Sequence, residues 1–129
     1  MQAKHVVVWL DHSEAHIFAF NRDVAEHAVI VFAPHDDSGN FCSYQATAEY
    51  QEYFEHILDK IRNIPEWLVV GPSNAKLAFA KHLNLHHENL LDHLIGIETV
   101  DHPTDGQLLA YAKKYFLVAN RLMENQVQT

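Results

Sequence analysis

Two Asp-His pairs, Asp11-His12 and Asp101-His102, each follow a short apolar run. A carboxylate beside an imidazole can hold a cation or move a proton if the fold brings the pairs together. Both runs read as strands, so both pairs fall at strand ends, where open α/β sheets gather ligand-binding groups. Turn chemistry explains the same residues, because an Asp after a strand accepts backbone N–H groups. Ser73 and Asn74 follow Gly71-Pro72 and precede a helical pattern. Free N–H groups at such a start can hold an anion or small ligand, and ordinary capping accounts for them equally well. His82 and His86 are one helical turn apart, with His87 and His93 close by. Neutral imidazoles suit zinc or nickel. No cysteine joins them, and surface histidines with adventitious affinity are the plainer reading.

Other chemistries are less well supplied. A two-metal nuclease needs converging carboxylates. Asp11, Glu55 and Asp101 are available, but the fourth predicted strand ends in Gly71-Pro72-Ser73 where a further acid is needed. There is no P-loop or Gly-rich nucleotide fingerprint. Cys42 lies near His35 and Ser43 with nothing to position a base. No catalytic residue, resident metal or cofactor is therefore assigned, and His82 and His86 stay weak metal candidates.

The elements that must position these residues follow from hydrophobic pattern. His5–Leu10 is almost wholly apolar and predicts a central strand covered on both faces. Residues 15–20 and 24–33 predict two more strands, and the short polar links make the three an antiparallel meander. Residues 34–44 read as a loop. Over 46–62 the period is helical, with Tyr50, Tyr53, Phe54, Ile57, Leu58 and Ile61 on one stripe. Pro65 ends that segment, and 67–70 is the fourth strand. Ser73 or Asn74 then caps a helix carrying Leu77, Phe79, Ala80 and Leu83. A helical turn over 85–93 leads to a fifth strand at 94–100. Thr104 with Gln107 is a capping box. It starts a last helix that buries Leu108, Leu109, Ala112, Tyr115 and Phe116 and runs to about Met123, with 124–129 as a frayed tail. The order predicts an α/β fold: a ribonuclease-H-like five-stranded mixed sheet, order 3-2-1-4-5, with helices on both faces and a single domain over 1–129.

Composition narrows the function classes. The chain has 129 residues, 48% of them apolar, enough for one core. A formal charge of −8 with nine Lys and Arg argues against general nucleic-acid binding. Protonating all eleven histidines would carry the charge to +3, so association should depend on pH between about 5 and 7. One cysteine allows no intrachain disulfide. Neither a signal-peptide pattern nor a run approaching the roughly 20 apolar residues of a membrane span is present. A cytoplasmic protein without a membrane partner is expected. Trp9, Trp67, Tyr50 and Tyr53 read as core, since base stacking without a basic groove binds poorly.

Three stretches carry a family resemblance: VWLDHSEAHI at 8–17, VVGPSNAK at 69–76 and GIETVDHPTDGQL at 96–108. Together with the predicted topology they resemble small bacterial proteins labelled "translational machinery protein". These are similar to the middle domain of archaeal and eukaryotic peptide-chain release factors and of Pelota-type rescue factors. Release factors carry a Gly-Gly-Gln loop between the third strand and first long helix, which positions water on the peptidyl ester. Here 34–44 fills that interval without Gly-Gly-Gln, and Gly106-Gln107 sits elsewhere, at a helix start. The resemblance thus implies a non-catalytic cytoplasmic domain that binds the ribosome or a translation factor and lacks release activity. One alternative is a metal-dependent hydrolase or nuclease using Asp11, His12, Asp101 and His102. Another is an anion or small-ligand module at the Ser73 helix start. Exposed sheet edges also allow a homodimer.

Overall fold

Strands β1 (His5–Leu10) and β4 (Glu66–Gly71) lie side by side and parallel, with Val8 opposite Val69. Both are apolar along their length because both faces are covered. Val6, Val8, Leu10, Trp67 and Val69 face one core; Val7, Trp9, Leu68 and Val70 face the other. The structure is a computed structural model describing residues 3–21, 25–32 and 47–127. The 34–44 loop, with Cys42, His35 and Ser43, lies outside the described residues.

β2 (Glu14–Phe20) pairs antiparallel with β1, and β3 (Ala25–Val31) antiparallel with β2. β5 (Leu94–Thr99) runs parallel to β4, giving the sheet order β3-β2-β1-β4-β5. That is the order expected from the sequence. Gly71 is fixed by the closeness of β1: a Cβ there would stand 2.2 Å from the Leu10 carbonyl oxygen, a backbone atom that cannot yield.

Helices α1 (Thr47–Ile61) and α2 (Ala75–His86) cover one face of the sheet. The α1 stripe is as expected, with Tyr53, Phe54, Ile57, Leu58 and Ile61 buried. The Trp67 indole donates to the carbonyls of Ile64 at 2.6 Å and Ile61 at 3.0 Å, so β4 also ties down the end of α1. In α2 the buried positions are Ala75, Lys76, Phe79, His82 and Leu83. Leu77, one of the apolar residues that the sequence places on this helix, is 53% exposed. At 3.6 residues per turn it lies about 200° round the helix from Phe79, and the Phe79–Leu83 stripe wins the core. Asn74 takes the N-cap position, but its side chain makes no cap bond.

Residues Glu88–His93 form a 3-10 turn before β5. Helix α3 (Asp105–Val127) covers the other face with Leu108, Ala112 and Phe116, one residue per turn, and extends past the expected Met123. Its start is the capping box read from the sequence. The Thr104 N–H donates to Gln107 Oε1 at 3.0 Å, and the Gln107 N–H to Thr104 Oγ1 at 3.2 Å.

Candidate functional site in the α1–α2 cleft

After Leu10 the chain turns sharply into β2. Asp11 Oδ1 accepts the N–H groups of Ser13 at 2.7 Å and Glu14 at 2.9 Å, so this carboxylate serves the turn. The turn carries His12 over to α1, where its ring meets Tyr50 edge-on at 6.0 Å. Tyr53 donates its hydroxyl to the Asp11 carbonyl at 3.3 Å. Burial, with the charges of Asp11 and Glu14 beside it, pushes that hydroxyl far above the usual phenol range. It stays a donor.

Between this turn, α1 and α2 lies a pocket of about 380 Å³. Phe54, Ala78 and Leu85 supply apolar wall; His12, His82 and His86 supply polar groups at its margin. Such a lining, mostly apolar with few polar groups, is the usual character of a small-molecule site.

Beside the pocket, three side chains from both helices meet. The His82 and His87 Nε2 atoms lie 2.6 Å and 2.5 Å from one oxygen, Glu55 Oε2. His82 is buried, and its ring packs 5.5 Å from that of Phe54. His87 is the residue that closes α2, and its N–H donates to the Leu83 carbonyl. The other Glu55 oxygen lies 3.9 Å from Arg62 Nη2. Burial alone would raise the Glu55 pKa, but hydrogen bonds and positive charge from His82 and His87 outweigh it, and the acid is held below the ordinary carboxylate range.

The predicted residues distribute as follows. His82 belongs to this group; His86 stands beside it, rings 4.9 Å apart, but the nitrogen that joins His82 on Glu55 comes from His87. Asp101 uses its backbone carbonyl to accept the Trp9 indole N–H at 2.7 Å, while its carboxylate is exposed and 3.9 Å from His102. The His102 ring lies 5.0 Å from Trp9, which belongs to the α3-side core. His12 and His102 therefore turn to opposite layers of the sheet. Ser73 offers its carbonyl to the buried Lys76 ammonium at 2.6 Å, its Oγ has no hydrogen-bond partner among the described residues, and Asn74 is exposed. A second histidine–carboxylate group, His16, His27 and Asp105, lies on the α3 side. Neither this group nor the joining of Glu55 to His82 and His87 carries a local sequence signal.

No protein-family model and no curated protein matches this sequence. Solved structures do. Pelota from Archaeoglobus fulgidus is similar over 99% of this chain and 36% of its own, with a TM-score of 0.67 at 13% identity. The archaeal translation termination factor aRF1 is similar over 95% of this chain and 40% of its own, TM-score 0.58, 14% identity. Dom34 of S. cerevisiae, a translation termination-like factor interacting with Hbs1, is similar over 97% of this chain and 40% of its own, TM-score 0.52, 12% identity. The chain thus spans well under half the length of these proteins. At such identities the likeness is one of fold: the five-stranded mixed sheet of the Pelota and release-factor middle domain, as the sequence resemblance implies. Among the described residues, no helix is long and apolar enough to cross a membrane.

Proposed function

We propose that this chain is a non-catalytic, cytoplasmic binding domain that works with the ribosome or a translation factor. The observation that carries this reading is the fold: almost the whole chain matches archaeal Pelota. The sequence departs from release chemistry, since its four glycines, Gly39, Gly71, Gly96 and Gly106, are never adjacent and cannot form Gly-Gly-Gln. A binding role also suits the strand ends. Asp11 is engaged in its turn, and His12 and His102 face different layers, whereas hydrolysis would need these groups to converge. Among the described residues β3 is an edge strand with Val29 and Val31 exposed, which suits pairing with a second copy.

The test is co-sedimentation of the chain with ribosomes at low salt, alongside a peptide-release assay. Pelleting without release activity is expected. A chain left wholly in the supernatant at low salt removes the reading.

A further inference from the structure

We propose that Glu55, His82 and His87 bind a single first-row divalent transition ion of the zinc class, fastening α1 to the C-terminal end of α2. This goes beyond the binding role above and does not depend on it. The donor set, two imidazoles and one carboxylate, is one that zinc takes readily. All three donor atoms lie within 4.8 Å of one another. They converge more closely than a shared hydrogen bond requires, since two Nε2 atoms, at 2.6 Å and 2.5 Å, aim at one oxygen.

In a tetrahedral zinc shell, metal–ligand distances near 2.1 Å set donor atoms about 3.4 Å apart. Each N–O separation therefore has to open by under about 1 Å. Glu55 is half-exposed and can make that adjustment, while buried His82 is held in place. Arg62 lies near Oε1 and leaves Oε2 directed at the imidazoles, an outer-shell role that orients a ligating carboxylate. His86 packs its ring 4.9 Å from that of His82 but is not one of the three converging donors, so water completes the shell.

The experiment uses the full chain, stripped with chelator and titrated with Zn2+ against a chromophoric competitor, with thermal melts in parallel. The expected result is a single tight equivalent and a melting temperature that rises with Zn2+. Glu55→Gln and His87→Ala should each weaken binding by about tenfold or more. The double variant His16→Ala/His27→Ala should bind as the wild type does. Unchanged affinity in folded Glu55→Gln and His87→Ala, or loss in the His16/His27 variant, overturns the proposal. If the first two variants do not fold, the Co2+ spectrum of the wild type decides. Intense visible bands of a four- or five-coordinate ion support the site, and the weak spectrum of a hexaaqua-like ion overturns it.

Discussion

Among the described residues, two groups join two histidines to a carboxylate, and they use the imidazole differently. In Glu55–His82–His87 the ring nitrogens converge on one oxygen between two helices, with His82 buried. In His16–His27–Asp105 the rings stack, and the His16 Nε2 atom pairs with Glu14 Oε1 at 3.3 Å, outside the group. His27 lies flat on Phe18, centroids 4.3 Å apart and planes 1° from parallel, and stacks on His16 at 5.8 Å. There the histidines cover apolar sheet next to the edge strand, and His27 and Asp105 remain exposed. Proximity of donor atoms alone does not distinguish the two groups. The direction of the nitrogens and the burial of the anchoring ring do, because a ligand atom must be held in place before the ion arrives.

This contrast can be broken from below by removing what the first group stands on. Phe79, on α2, is fully buried, its ring 5.5 Å from that of Phe54 on α1. Phe79→Ala should cost about 3–5 kcal/mol in urea unfolding; a cost under about 1 kcal/mol would mean that the α1–α2 layer is loosely packed and cannot preorganise a site. Next in size is His82→Leu, which leaves Glu55 with one imidazole partner. A loss of about 1–3 kcal/mol is expected, with coupling to Glu55→Gln in a double-mutant cycle. Additive effects would deny the tie between the helices.

Thr104→Ala probes the second group through the helix start that presents Asp105. Losing the cap should cost about 0.5–2 kcal/mol of stability and leave the α1–α2 group untouched. A smaller effect concerns pH in metal-free buffer. The Glu55 pKa is lower in the folded chain than the ordinary carboxylate value. Its stabilising contribution is therefore complete above the unfolded pKa and is lost as pH falls through the folded one. Glu55→Gln should flatten that acid limb of the stability profile; because the carboxylate is half-exposed, the change is modest. Smallest of all, His27→Ala should stay within about 0.5 kcal/mol of wild type. A larger loss would show that the second group is more than surface cover.

Much of this architecture was readable without coordinates because its signals are local. Continuous apolar runs marked β1 and β4 as strands covered on both faces, the spacing from Tyr53 to Ile61 set the buried face of α1, and Thr104 with Gln107 marked where α3 begins. α2 was less legible. It carries leucines on more than one side, and the choice to bury Phe79 and Leu83 while exposing Leu77 and Leu85 was made by the sheet beneath it. The two Asp-His pairs could be placed at strand ends, but not on a layer: whether a turn residue leans toward Tyr50 or Trp9 depends on partners far along the chain.

Sequence by itself determined the order of elements, the double-sided burial of β1 and the buried stripe of α1, since backbone periodicity and capping act over a few residues, and the connections between elements then limited the strand order. Tertiary structure alone decided that Glu55 meets His82, 27 positions away, and that His87 rather than His86 completes the group. That meeting depends on the separation and rotation of two helices packed on a common sheet, quantities that no local pattern of side chains contains.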